Sequence, residues 1–335
     1  MLIKFFRSSF LIQYFVLVLL TAAIWIPGFI ANPGLPVEPS LITPIYNMAH
    51  SVLKMFDAAS PAVALVIMFL SAMTLNNILI FHELTPKNSL LPAFVFILFM
   101  GSNPLTLCTY PVILALPFLT WFIHSVFKIN DEPENNMEVF NASILISIIS
   151  MIYPLAIIFF ICIWMILLIY GTFNGRNLVI SILAVTLPYI YLLLYFFWTD
   201  QLDEALNAYM LFYGDMFAFR MNKDILQLLV WGIFSIFMLL PAFMRITSTL
   251  STFNINFRKK MAATAWLMAF SLPLIIMKGN VDYHTLIFLP ASIMIAHYYH
   301  LFKKSIPNEL ALLLLLILIL ANNYLHMFNA QIIPD

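Results

Sequence analysis

Five stretches of this chain, 10–30, 61–81, 177–197, 225–240 and 310–321, contain no charged residue. They match or approach the ~20 residues that a helix rising 1.5 Å per residue needs to cross the hydrocarbon core of a bilayer. No water-soluble interior could hide such runs in a chain that is 63% hydrophobic and 9% charged, where soluble domains carry about 25% charged residues. A transmembrane barrel would instead show ~10-residue segments alternating polar and apolar residues. Here the runs are apolar on every side, so the expected fold class is all-α: a polytopic transmembrane helical protein.

The opening MLIKFFRSSF sets Lys4 and Arg7 before the first run, as a secretory signal does. That run is too long for a signal core, and no small-residue cleavage site precedes NPGLPVEP, so a retained signal-anchor is expected. Cys108 and Cys162 lie in or beside apolar runs and read as small buried hydrophobes, with no disulfide. The net charge of zero leaves no basic footprint for nucleic acid. No repeat, phosphate loop or metal finger is present, and no cofactor is implied.

Apolar runs read against charge, Pro and Gly give about eleven membrane segments in one integral-membrane domain spanning 1–335. They fall near 10–30, 61–81, 90–103, 105–127, 139–153, 154–171, 177–198, 225–244, 261–277, 283–300 and 307–325. Gly101-Ser102-Asn103-Pro104 divides one long apolar tract, and Tyr153-Pro154 divides another. With the N-terminus inside, eleven basic residues fall on the cytoplasmic side: Lys4, Arg7, Lys87, Lys128, Arg176, Arg245, Arg258, Lys259, Lys260, Lys303 and Lys304. Four fall outside: Lys54, Arg220, Lys223 and Lys278. Because Lys and Arg resist translocation, this sorting supports the orientation and places the C-terminus outside.

The external loops are 31–60 and 198–224; the cytoplasmic ones are 82–89, 128–138 and 245–260. In the first external loop Ile45, Met48, Val52 and Met55/Phe56 recur at three- and four-residue steps, the apolar stripe of a short helix lying on the membrane surface. The second mixes acids, Arg220, Lys223 and aromatics, and should also lie at the interface. The inner loop KINDEPENNME reads as solvated and its acids as inert, and FHELTPKNS reads as an ordinary connection.

The stretch from Ile275 to His300 concentrates the polar candidates. Lys278 and Asp282 flank a short turn, and Tyr283 and His284 start the next helix. The bland account is an interfacial belt with Lys snorkelling. The functional account is an anionic headgroup held between Lys278 and a helix N-terminus. His297 and His300 share a helix face at a spacing that metal ligands can use, but no third ligand stands nearby and no metal is expected; Tyr298 and Tyr299 fit an aromatic belt. Asn76-Asn77 and Asn322-Asn323 lie in apolar runs, where amides bond between helices.

This layout resembles the C-type, polyprenyl-phosphate-dependent membrane glycosyltransferases: an inside N-terminus, a first span, an external loop with a surface helix, and many later spans. VFNASILISIISMIYPLAIIFFICIWMILLI is similar to their paired mid-chain helices, and KGNVDYHTLIFLPASIMIAHYYH to their late span. The whole chain also resembles an uncharacterised family of bacterial polytopic inner-membrane proteins. The resemblance implies sugar transfer from a polyprenyl-phosphate-linked donor on the external face. Glu38, with the distant Asp57, stands where the family has an acidic pair that deprotonates the acceptor. Lys278 or Arg220 would hold the lipid phosphate, with Lys223, Asp282, Tyr283 and His284 as further substrate-binding candidates. The alternative is a non-catalytic subunit or scaffold that recruits other membrane or envelope proteins. A transporter ranks last, because neither mid-bilayer charges nor paired half-sequences are evident. Membrane lipids are the expected surroundings in each case, and the bacterial inner membrane the expected location.

Overall fold

The structure, a computed structural model, describes residues 2–31, 40–54, 59–104, 107–108, 110–131, 135–214, 238–276, 285–301 and 306–332. It is 87% helix without strands among the described residues, which disposes of the barrel alternative there. In chain order the helices are α1 (Leu2–Phe6), α2 (Leu11–Ala31), α3 (Pro44–Leu53), α4 (Ser60–Phe81), α5 (Leu91–Met100), α6 (Pro111–Asp131) and α7 (Asn136–Ile152). A 3-10 turn, Pro154–Ile157, leads to α8 (Ile158–Tyr170), α9 (Gly175–Trp198) and α10 (Leu202–Gly214). Beyond residues 215–237 come α11 (Leu240–Thr249), a 3-10 turn Leu250–Thr252, α12 (Ile255–Ile276), α13 (Thr285–Leu301) and α14 (Ile306–Ile332).

Among the described residues five helices, Leu11–Ile30, Ser60–Phe81, Pro111–Asp131, Gly175–Trp198 and Ile306–Phe328, are long and apolar enough to cross a membrane. Leu91–Met100, Asn136–Ile152, Pro154–Tyr170 and Thr285–Leu301 are shorter apolar helices. This is the build of a multi-pass membrane protein. The eleven expected spans are not borne out as full-length segments, and 225–244 lies mostly outside the described residues. The physical reason is enclosure: a helix wrapped by other helices need not match the bilayer's thickness. Ten-residue α5 is about 15 Å long, half of a ~30 Å core, and all of its residues are buried.

α5 and α13 form the centre. α4 packs on α5 and α6, α12 on α13 and α8, α7 between α6 and α9, and α14 along α2. Outward faces remain apolar where hydrocarbon is the solvent, as at Leu11, Leu183, Leu194 and Ile317, all exposed. α5 ends at Gly101, where a Cβ would strike the side chain of Ile24. The non-helical backbone after it lies beside α2 and α14, where protein must satisfy what water cannot reach. Asn323 donates to the Gly101 carbonyl at 2.8 Å, and Asn322 to that of Ser102 at 3.4 Å. The 322–323 amides thus do bond between helices.

Hydrogen bonds gather one set of helix ends together. The Leu90 amide donates to Phe6 O at 2.9 Å, Ser89 Oγ meets His300 Nε2 at 2.9 Å, and Lys259 donates to Tyr170 O at 2.9 Å. We call this the basic end, after Arg258, Lys259 and Lys260. The opposite end holds α3 and α10, joined where Tyr209 Oη donates to Ile42 O at 3.3 Å. On α3, Met48 and Val52 of the expected stripe are exposed, while Tyr46 turns inward and is buried.

Two loop readings and one belt reading need correction. The loop expected at 245–260 is largely helical: α12 begins at Ile255, five residues before Lys260. Within the loop expected at 128–138, α6 runs on to Asp131, α7 begins at Asn136, and Glu138 is buried. Tyr298 and Tyr299 are buried rather than forming a belt, because α13 is enclosed by α5, α11 and α12.

Candidate functional site

The residues to which the sequence pointed for chemistry, Glu38, Asp57, Arg220, Lys223, Lys278, Asp282, Tyr283 and His284, all lie outside the described residues. The described residues bring a different group together, at the basic end.

α4 stops after Phe81 in a turn whose Leu84 amide donates back to Leu79 O at 2.9 Å. Glu83 takes the left-handed conformation there, at φ 58°, where helices usually place glycine. The turn points His82 inward, where its side chain is fully buried. Asp131, the last residue of α6, reaches it: His82 Nδ1 lies 3.0 Å from Asp131 Oδ2. Lys260, in the second turn of α12, donates to the same oxygen at 2.8 Å and sits 3.3 Å from His82 Nδ1. The Lys260 side chain is 6% exposed and that of Asp131 33%, so the pair is open to water only on the acid's side. On the far face of the ring, His82 Nε2 meets His124 Nδ1 at 3.1 Å. Phe81 and Phe127 stand edge-on to His82 and close its apolar wall. Nearby, Lys128 pairs with Glu138 at 3.4 Å. Asp131 and Glu138 of KINDEPENNME are therefore engaged where the sequence suggested an inert, solvated loop, because α6 and α7 continue into that segment and carry these two carboxylates inward.

Burial, reinforced by the Lys260 charge and opposed by Asp131, lowers the His82 imidazole from its usual 6.5 to about 4. The ring is neutral at neutral pH and so has one N–H to give. With that proton on Nδ1 it donates to Asp131, and Nε2 accepts from His124. With the proton on Nε2 it donates to His124, and Nδ1 accepts from Lys260.

Two spaces flank this chain of side chains. A cavity of about 350 Å³ at the basic end is lined by His82, Glu83, Lys128, Asp131, Asn254 and Lys260, among others. A groove of about 660 Å³ runs between α4 and α6, walled by Leu70, Ile78 and Trp121 and carrying a polar strip of Ser71, Thr74, Thr120 and His124. Thr74 Oγ1 bridges to Thr120 Oγ1 at 3.5 Å. Ser71 is buried, and its hydroxyl has no hydrogen-bond partner among the described residues. His82 borders the cavity and His124 the groove, so the imidazole pair separates the two spaces.

At the opposite end a tyrosine group forms. Tyr209 and Tyr213 stack at 6.3 Å, Tyr213 Oη donates to Pro154 O at 3.4 Å, and Tyr189 Oη lies 2.7 Å from Ser150 Oγ. His297 and His300 are core histidines: His297 packs against the stacked rings of Phe253 and Phe257, and His300 binds Ser89. Among the described residues no three His, Cys, Asp or Glu side chains could hold a metal ion.

A signal for the site was available in the sequence. Thr120, His124, Lys128 and Asp131 follow at steps of four, four and three, a polar stripe on one face of a mostly apolar helix. No family model, curated protein or solved structure matches this chain.

Proposed function

We propose that this chain is a multi-pass protein of the bacterial inner (cytoplasmic) membrane, basic end inside and C-terminus outside, that handles a long-chain lipid during cell-envelope assembly. The observation that carries this reading is the α4–α6 groove. Within a bilayer, hydrocarbon fills such a groove. Its polar strip is useful only to an occupant whose head bears hydrogen-bonding oxygens, and polyprenyl phosphates are lipids of that kind. The sorting of Lys and Arg supports the orientation.

An isoprenoid phosphate carrying a diazirine, incorporated in nanodiscs with the protein, tests this. It should label peptides of α4 and α6 ahead of α9, although α9 exposes more apolar surface, and Thr74→Leu should weaken the labelling. Labelling in simple proportion to exposed apolar area would discard the lipid site. If a second membrane protein also co-purified stoichiometrically, the non-catalytic subunit would take its place.

A second reading, sugar transfer from a polyprenyl-phosphate donor at the external end, is favoured by α3 and the tyrosine group there, whose ring faces suit a sugar. In it Glu38 or Asp57 is the base, and Lys278 or Arg220 holds the phosphate, with Lys223, Asp282, Tyr283 and His284 around them. Folded, inserted Glu38→Ala and Asp57→Ala proteins that transfer sugar as well as wild type would remove that assignment.

A further inference from the structure

We infer that His124, His82 and Asp131 form a proton path from the lipid-facing groove to the basic-end cavity, with His124 Nε2 as the base for an O–H at the head of a long-chain amphiphile. This rests on the reading of the groove as a lipid site. The chemistry required of the ligand is a weakly acidic O–H on a hydrocarbon chain, whether from a phosphate monoester or an alcohol.

The geometry supplies each link. Asp131 Oδ2 is 3.0 Å from His82 Nδ1, and His82 Nε2 is 3.1 Å from His124 Nδ1. Asp131 borders the cavity and is partly open to water, while His124 borders the groove. Asp131 Oδ2, which accepts from Lys260 at 2.8 Å, also lies 3.0 Å from His82 Nδ1 and draws the His82 proton to that nitrogen. His82 Nε2 must then accept, so His124 must carry its proton on Nδ1, leaving Nε2 bare at the groove. The shorter contact, to Asp131 rather than to Lys260 at 3.3 Å, favours this arrangement.

The transfer balances without any further reagent. A ligand oxygen gives its proton to His124 Nε2, the His124 Nδ1 proton passes to His82 Nε2, and the His82 Nδ1 proton passes to Asp131. Three bonds to hydrogen break and three form. The ligand oxygen gains a negative charge, the Asp131 carboxylate loses one, and Asp131 returns its proton to water in the cavity. Lys260 gives and takes none; it is a positioning residue that donates to Asp131 Oδ2 at 2.8 Å. Ser71 also lines the groove, buried and with a hydroxyl that lacks a hydrogen-bond partner among the described residues.

Were the four groups merely neutralising one another, the His124 tautomer would not depend on His82. Ring-nitrogen NMR on 15N-histidine-labelled protein in nanodiscs at pH 8 reads that tautomer directly, and His124→Phe identifies its signals among the seven histidines. In wild type the His124 proton should sit on Nδ1. In His82→Phe, which keeps a ring of similar shape, most of the signal should move to the Nε2–H form. In Lys260→Met, where Asp131 still accepts from His82, the tautomer should stay as in wild type. Should His82→Phe fail to fold, His82→Leu with a thermal melt as control gives the same readout. A wild-type Nε2–H tautomer, or one indifferent to His82, overturns the path. The groove reading fails separately: adding farnesyl phosphate would then leave the His124 signals unmoved while the tautomer pattern stood.

Discussion

Replacing Asp131 by alanine removes the one acceptor shared by Lys260 and His82, at a point where the ends of α4, α6 and α12 meet. Lys260 keeps its charge but loses its partner at 2.8 Å, and its side chain is 94% shielded. Breaking one partner of a buried pair costs about 3–5 kcal/mol. The acid itself is 33% exposed, so water screens part of the interaction and the low end applies, about 3 kcal/mol. Lys260→Met leaves a partly hydrated carboxylate behind and should cost less, roughly 2 kcal/mol on the same scale. In the double variant neither charge is stranded, so its cost should fall about 2 kcal/mol below the sum of the singles, well beyond the ~0.5 kcal/mol scatter expected of independent sites. Reversible unfolding in mixed micelles by added SDS, followed by tryptophan fluorescence, measures all three. Additive costs, or an Asp131→Ala loss under about 1 kcal/mol, would refute the claim that a buried ion pair ties the three helix ends.

His82 predicts a pH dependence. Its folded value, about 4, lies below its ordinary 6.5, so between these limits the unfolded chain binds the extra proton and stability falls as pH drops through the window. Wild type should lose up to ~3 kcal/mol more than His82→Gln between pH 7 and 4, and equal slopes in SDS titrations would contradict the buried neutral ring. Asn323→Leu leaves the Gly101 carbonyl without its 2.8 Å donor and should cost about 1 kcal/mol, read by the same unfolding assay. Glu83→Gly relieves a left-handed residue worth about 1–2 kcal/mol of strain, offset by glycine's entropy, so its stability should match or exceed wild type by up to ~1 kcal/mol, whereas Glu83→Val should be clearly less stable.

What was legible in the sequence depended on how local the signal was. Tyr153-Pro154 does interrupt its tract, through the 3-10 turn Pro154–Ile157, because proline removes an N–H and restricts the residue before it. Gly101 to Pro104 likewise ends α5. The Asn322-Asn323 pair pointed to helix–helix bonding because an amide in hydrocarbon has few other partners. The basic-end cluster was not read, since His82, Asp131 and Lys260 stand 49, 129 and 178 residues apart pairwise, and each follows or precedes an apolar run as a loop residue would. Helix-end charges resemble solvated charges until the neighbouring ends are known. The register of α6 was the recoverable part: residues 120, 124, 128 and 131 lie on one face, and that face borders both groove and cavity.

That register also bears on why the cluster contains two imidazoles. Lys260 and Asp131 complete an ion pair without help, and the His82 Nδ1 contact adds a further bond to the same carboxylate. A lock of that kind leaves one demand, a partner for His82 Nε2 in an apolar wall of Phe81 and Phe127. Serine or threonine at position 124 would meet it by donating its single hydroxyl proton to Nε2. An imidazole there meets the demand at greater cost, because its second nitrogen is carried out to a groove walled by Leu70, Ile78 and Trp121. That nitrogen is worth its desolvation only if something in the groove bonds to it. The excess polarity of position 124 therefore points away from a purely structural cluster and toward an occupant of the α4–α6 groove.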